Sequence, residues 1–444
     1  MKRYHFIAIG GSAMHNLAIA LHLKGCKVTG SDDEIFDPAK SRLQKYGILP
    51  DRIGWQPELI NTELDAVILG MHARADNPEL LRALELGIRV FSYPEFLYEQ
   101  SRNKTRIVIG GSHGKTTVTA MILHVLYHVR KSCDYMVGAQ LEGFEVMVKL
   151  SEDAPMMVIE GDEYLTSPID PRPKFHVYKP DIALINGIAW DHVNVFPSFD
   201  SYVEQFRLFA DQITPNGALV YYSGDDQIVR IARQVRPDIK LVPYQLPSYN
   251  ILNGRTHLIT ENHTYPLQVF GKHNLQNICG AWAVCKLVGV TDTEFLEAIS
   301  LFKGASKRLE LVRESANSSV FKDFAHSPSK LKATVTAVKE QFPDRTLVAC
   351  MELHTFSSLT ASFLNEYKGA FDRTDEAIVY FNPHAIAHKK LPELTVDTVR
   401  NAFDRPDIRV FDDSAALQHY LQAKSWNNTN LLLMSSGNFD GLQL

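Results

Sequence analysis

The chain has 444 residues, too many for one core of ordinary size, so about three domains are expected, each long enough to bury a core of its own. Its 46 basic and 51 acidic side chains leave a formal charge of -5, which indicates no polyanion-binding surface and argues against nucleic acid as a partner. The five cysteines (Cys26, Cys133, Cys279, Cys285, Cys350) form no C-x-x-C pair, and no apolar run approaches the roughly eighteen residues of a membrane span. A cytoplasmic protein with reduced thiols and no membrane insertion is therefore expected.

A strand at 4–9, a Gly10–Gly11 turn, a helix ending near Gly25 and a second strand at 27–29, followed by Ser31 and Asp32, read as a βαβ nucleotide fold. The run Gly10-Gly11-Ser12-Ala13-Met14 lacks G-x-G-x-x-G, so NAD is a minority reading. A strand at 66–69 leads through Asn77–Pro78, a helix start with proline in the first turn, to a helix stopped by Gly87. The first domain is expected to close at 103.

The most informative stretch follows. An apolar strand at 107–109 runs into Gly110-Gly111-Ser112-His113-Gly114-Lys115-Thr116-Thr117 and then a helix carrying Met121, Ile122, Val125, Leu126 and Val129 on its apolar positions. Glycines let backbone N–H groups turn inward around phosphate oxygens, a lysine neutralises β/γ charge, a threonine hydroxyl meets Mg²⁺, and the helix N-terminus adds partial positive charge. The loop is shorter than G-x-x-x-x-G-K-T, because Ile109 stands where that pattern has glycine. Strands at 156–159, 182–185 and 218–222, short strands around an Asn253–Gly254 hairpin and a helix at 275–287 complete a central domain over 104–304. The pattern then resets over 305–444: strand 320–324, helix 329–341, strands 346–351 and 377–380, and a last strand at 430–434. Such alternation implies mainly parallel sheets with ligands at the strand carboxyl ends.

Chemistry-bearing residues fall just after these strands. Glu160, Asp162 and Glu163 follow one, Asp191–His192 another; with Thr116 they supply hard-cation ligands and an imidazole. Each acidic cluster alone is more often an exposed loop, and only the neighbouring phosphate loop reverses that weighting. His273, Asn274 and Asn277 open a helix, where amides suit a purine or ribose; the plain alternative makes Asn274 an N-cap. Lys307, Arg308, Asp323 and His326 flank a domain joint, either reaching toward a triphosphate or forming a solvated charge run. His124 and His128 lack the glutamate of H-E-x-x-H and read as surface histidines.

Six motifs in order resemble the Mur ligase family: Gly111 to Thr117, Glu160 to Glu163, Asn186 to His192, Gly271 to Asn277, Lys307 to Glu310 and Asp323 to Pro328. The resemblance implies an α/β, three-domain architecture: an N-terminal Rossmann-like domain for a UDP-sugar, a central P-loop ATPase domain and a C-terminal Rossmann-like domain presenting an amine. It implies ATP and Mg²⁺, with Lys115, His113, His192 and Arg308 catalytic, and with Thr116, Glu160 and His192 on the metal. Nucleotide contacts fall to Gly111, Ser112, His113, Gly114, Lys115, Thr116, Thr117, His273, Asn274, Asn277, Arg308, Asp323 and His326. UDP-sugar contacts fall to Gly10, Gly11, Ser12, Ala13, Met14, Ser31, Asp32, His72 and Ala73. The N-terminal segments resemble members using UDP-N-acetylmuramate. The stretch from Asp162 to Phe175 and the C-terminal 434–441 are similar to the branch that adds the murein tripeptide L-Ala-γ-D-Glu-meso-diaminopimelate in cell-wall recycling. Ser436, Asp440 and Cys350-Met-Glu-Leu-His354 depart from that branch, which leaves L-alanine as the alternative amine; a non-catalytic nucleotide-dependent binding protein on the same fold is a separate, second alternative. Phe206–Arg207 stands where several branches carbamylate a lysine, so no carbamate is expected. The expected state is a monomer or weak homodimer.

Overall fold

The computed structural model describes residues 1–139, 143–167, 169–190, 195–261, 263–305 and 308–442. The expected metal ligand His192, with Asp191 and Lys307, lies outside these residues. The chain divides into two compact units, one of 1–188, 200–245 and 280–295, the other of 189–199, 246–279 and 296–444.

The first unit contains two parallel-dominated sheets. Strands β1 (Arg3–Ile7), β2 (Lys27–Ser31), β3 (Ala66–Leu69) and β4 (Val90–Ser92) form a parallel sheet in the order β2-β1-β3-β4. Runs such as Val67-Ile68-Leu69 are wholly buried, as strands covered on both faces require. The helix Ser12–Leu23 follows the Gly11 turn, and Gly25, at φ +87°, ends the segment. Asn77 caps the helix Pro78–Glu85 by accepting from the N–H groups of Glu79 and Leu80, with Pro78 in the first turn, as the dipeptide predicts.

The larger sheet has β5 (Thr105–Gly110), β6 (Asp134–Met136), β7 (Val148–Lys149), β8 (Met156–Glu160), β11 (Ile182–Ile185), β12 (Ala218–Tyr222) and β13 (Lys240–Tyr244), ordered β13-β12-β11-β5-β8-β6-β7. Only β7 pairs antiparallel. Its centre is β5, with β8 on one side and β11 on the other, so the chain leaving β5 emerges at a point where the connections part, the usual ligand crevice of such sheets. An antiparallel hairpin of β9 (Leu165–Ser167) and β10 (Asp170–Pro173) follows β8.

The second unit holds an antiparallel sheet of β14 (Tyr249–Leu252), β15 (Arg255–Ile259) and β16 (Thr264–Pro266), turned by Asn253 and Gly254 at φ +51° and +71°. Its larger sheet runs β17-β18-β22-β19-β20-β21, from β17 (Glu310–Glu314), β18 (Ser319–Asp323), β19 (Thr346–Leu353), β20 (Glu376–Phe381), β21 (Arg409–Phe411) and β22 (Thr429–Met434). Alternate residues of β19 feed two cores: Leu347, Ala349 and Met351 pack with Leu331 and Val335, while Val348 and Cys350 pack with Leu417 and Leu421. Strand β17 pairs antiparallel and is exposed along its length, so no hydrophobic period announces it in the sequence. Among the described residues no helix is long and apolar enough to cross a membrane.

Candidate active site: the phosphate loop and its acidic rim

The loop after β5 has a backbone that glycine alone adopts without strain. Gly111 sits at φ +134°, and a Cβ there would lie 3.1 Å from the backbone nitrogen of Asn186; Gly114, at φ +78°, precedes the helix Lys115–His128 with no side-chain cap. That helix therefore presents N–H groups without a capping side chain at the loop, the arrangement that binds phosphate. Asn186, just past β11, braces the loop: its N–H donates to Gly110 O (3.2 Å), its amide donates to His113 O (3.2 Å), and Tyr244 donates to its carbonyl at 2.5 Å. The N–H of Ser112 is already donated to Gly187 O at 2.9 Å. Gly111→Ala is expected to destabilise the protein by about 1–3 kcal/mol, the cost of holding a side chain in a sparsely allowed conformation, measured as a lower urea midpoint.

Lys115 folds back across this loop. Its ammonium donates to Gly111 O at 2.9 Å and to Glu163 Oε2 at 2.7 Å. Tyr202 donates to the other oxygen of Glu163 at 3.2 Å and lies 3.0 Å from Ser112 Oγ. Burial pulls the Lys115 ammonium down, but Glu163, Asp162 and Glu160 outweigh it and hold its pKa above the ordinary lysine value, so it is charged. Beside it Thr116 donates to Glu160 Oε1 and the Gly138 N–H donates to Glu160 Oε2, both at 2.7 Å. A Cβ on residue 138 would come within 2.7 Å of that carboxylate, so glycine permits the approach. Burial and the charge of Asp162 push the Glu160 carboxyl above its usual range, against those two donors. A cation arriving here relieves that repulsion.

Among the described residues no group of three or more His, Cys, Asp or Glu side chains is arranged to hold a metal. Mg²⁺ needs only one or two carboxylates, its other positions taken by phosphate and water, so the adjacent Thr116 hydroxyl and Glu160 carboxylate fit it. Arg172 and Lys174, within the 162–175 stretch, are both engaged: Arg172 holds Asp170 with contacts at 2.6 and 2.9 Å, and Lys174 lies 3.4 Å from Asp162.

At the carboxyl edge of the N-terminal sheet, the Gly10 N–H donates to Asp32 Oδ2 at 2.7 Å. Burial, then the neighbouring Asp33, push the Asp32 carboxyl up to about 6. Gly10, Gly11, Ser12, Ala13 and His72 retain exposed surface, whereas Met14, Ser31 and Ala73 are buried. Ser31, expected to touch a UDP-sugar, instead donates its hydroxyl inward to Glu79. Just beyond Asp32 a cavity of about 350 Å³ opens between Ile35 and Phe36 on one side and Leu49, Pro50 and Ile53 on the other.

In the second unit, Arg308 stacks its guanidinium 4.7 Å over the Phe324 ring, and Asp323 accepts from the N–H groups of Leu309 (2.6 Å) and Ala325 (2.7 Å). Burial raises the Asp323 carboxyl against Arg308 and those donors. His326 Nδ1 lies 2.9 Å from Phe324 O, so Arg308, Asp323 and His326 gather at the end of β18. The helix at the Gly271–Asn277 motif starts at Lys272, three residues earlier than a cap at 274 requires; Asn274 lies inside it and donates to Phe270 O at 2.9 Å. Desolvation pushes His273 down to about 4, leaving it neutral. Sequence reasoning missed Glu163 as the partner of Lys115 and Asn186 as the brace, though both stand in the motifs quoted. Tyr202 and Tyr244 carry no sequence signal.

The Mur ligase family catalytic domain matches residues 3–105, the Mur ligase middle domain 109–285, and the Mur ligase glutamate ligase domain 307–437. The chain belongs to the Mur ligase family. As a Mur ligase it has the three-domain α/β architecture of that family and is an ATP-dependent amide ligase. It is 31% identical to a UDP-N-acetylmuramate–L-alanine ligase of Sulfurihydrogenibium sp., over 85% of this chain and 82% of that protein. It is 30% identical to the ligase of the same name from Limosilactobacillus reuteri, over 85% and 84%. Among solved structures, the UDP-N-acetylmuramate–alanine ligase of Thermotoga maritima matches with a TM-score of 0.73 at 20% identity, covering 99% of this chain and 97% of that one. The murein peptide ligase of Psychrobacter arcticus matches at 0.67 and 22%, covering 100% and 97%. The tripeptide ligase of Neisseria meningitides matches at 0.61 and 25%, covering 68% of this chain and 98% of its own.

Proposed function

We propose that this Mur ligase joins the lactyl carboxylate of UDP-N-acetylmuramate to an amine, with domains at 1–103, 104–304 and 305–444. The observation that carries the reading is the convergence of the Gly111–Gly114 loop, charged Lys115 and the Thr116–Glu160 pair at the end of β5. A carboxylate is a poor acylating agent until phosphorylated. Its oxygen attacks the γ-phosphorus of ATP, the bond to the β-phosphate oxygen breaks, and ADP leaves an acyl phosphate. The amine nitrogen then adds to the acyl carbon, loses a proton, and expels inorganic phosphate as the amide forms. Lys115 and the helix N-terminus offset charge on the transferring phosphoryl group, and His113, in the same loop, is assigned to the carboxylate and acyl phosphate. Thr116 and Glu160, with His192, would hold Mg²⁺, which when bound neutralises phosphate charge. Asn274 and Asn277 are assigned to the adenine side, and Arg308, Asp323 and His326 to the ribose and phosphate edge.

The amine is where the support divides. The curated relatives bear the name of the L-alanine ligase, and that reading takes precedence over the tripeptide expected from the sequence. The tripeptide stays as a second reading on one feature: the β9–β10 hairpin with Asp170, Arg172 and Lys174, together with 25% identity to the tripeptide ligase structure. The test supplies UDP-N-acetylmuramate and ATP with either L-alanine or the tripeptide and follows phosphate release. L-Alanine is expected to be turned over; release with the tripeptide alone transfers the assignment to the second reading, and ATP binding without product in either mixture sinks both.

A further inference from the structure

A carboxylate that the catalytic reading does not use lies buried in the N-terminal sheet. Glu79 and His5 have no exposed side-chain surface, an unusual position for a pair of ionisable groups. His5 Nδ1 lies 2.9 Å from Thr29 Oγ1 and its Nε2 3.3 Å from Glu79 Oε2, so a Thr29 hydroxyl donating to Nδ1 leaves Nε2–H to donate to the carboxylate. The same oxygen accepts from the Ser31 hydroxyl, while Oε1 accepts from the Gln56 N–H. Burial alone would raise the Glu79 carboxyl, but these donors outweigh it and hold it below the usual range.

The two oxygens thus reach different walls of one cavity. Ser31 leads through Asp32 into the 33–36 segment, and Gln56 ends the 49–56 segment; these segments carry Ile35 and Phe36, and Leu49 and Ile53, across the 350 Å³ cavity. One backbone bond, Gly54 N–H to Asp32 O at 2.7 Å, crosses between them. Phe36 and Ile53 are 70% and 57% exposed, one on each wall, which is surface a ligand would cover.

We infer that Glu79 is a positioning residue that sets the spacing of this cavity, and through it the affinity for the UDP-sugar, without touching the sugar itself. The inference rests on the reading that the protein binds UDP-N-acetylmuramate. Glu79→Gln keeps the shape but has one acceptor oxygen where two are needed, so one wall loses its tie. The expected result is a KM for UDP-N-acetylmuramate raised roughly tenfold, the factor one charge-assisted buried hydrogen bond is worth, with kcat at saturation and KM for ATP unchanged within about twofold. A merely structural role predicts a lower melting temperature and less active enzyme at an unaltered KM, and that result overturns the inference. Should Glu79→Gln fail to fold, Ser31→Ala severs the tie to one wall and leaves the carboxylate in place; its KM is expected to rise several-fold, and an unchanged KM overturns the inference equally. Calorimetric titration of wild-type protein with UDP-N-acetylmuramate separates the two levels. No binding there removes the functional reading, whereas wild-type binding with unshifted variants removes only the role of Glu79.

Discussion

Lys115→Ala is expected to lower kcat by about a thousandfold or more while leaving affinity for UDP-N-acetylmuramate unchanged, because the lost charge acts mainly on the transferring phosphoryl group. The substitution has a second effect that must be separated from the first. Glu163 is 1% exposed and makes its ion pair with Lys115, so the variant leaves a carboxylate buried without its cation. Breaking such a pair from one side costs about 3 kcal/mol. Lys115→Ala combined with Glu163→Gln removes that uncompensated charge. The double variant is expected to recover most of the thermal stability and none of the turnover. If the double variant recovers turnover, the charge of Lys115 is not what the reaction uses. Near-normal phosphate release by the single variant removes the loop from the chemistry altogether.

Glu160→Gln is expected to raise the Mg²⁺ concentration for half-maximal rate by about tenfold or more and to lower the saturated rate by about two orders of magnitude. The amide retains one oxygen for the Thr116 hydroxyl or the Gly138 N–H but carries no charge, so the fold survives and the cation site does not. Relief of the repulsion with Asp162 predicts that the metal-free variant melts no lower than wild type. A Mg²⁺ titration of phosphate release that superimposes on wild type excludes Glu160 as a ligand.

The parts of the fold legible in the sequence are those whose residues are buried on both sides. The strands at 66–69, 182–185 and 218–222 fall where their apolar runs predict, and the Asn77–Pro78 and Asn253–Gly254 signals mark the helix start and the hairpin. The unannounced elements are short or solvated: β9 and β10 are a polar hairpin, and β17 has no buried residue. Within the candidate site the loop itself was legible because glycine, lysine and threonine at that spacing have few other uses. Its supports were not. Tyr202 and Tyr244 reach the loop from remote segments, and their role exists only once β5, β11, β12 and β13 are assembled in one sheet. Glu79 was opaque for a different cause: a glutamate in the first turn of a helix is ordinarily read as a surface charge favouring the helix dipole, whereas this one points into the sheet.

The ammonium of Lys115 already has two partners, the Gly111 carbonyl and the Glu163 carboxylate, so on the proposed reading a nucleotide entering the loop trades places with an internal anion instead of meeting a vacant cation. Loading is then an exchange, weaker than the bare attraction of lysine for phosphate by the strength of the contact surrendered. The reverse trade operates once the bond is made: as ADP and phosphate loosen, Glu163 is at hand to reclaim the lysine, which favours emptying the loop for the next cycle. A Glu163→Gln enzyme should therefore hold ADP longer than the native one.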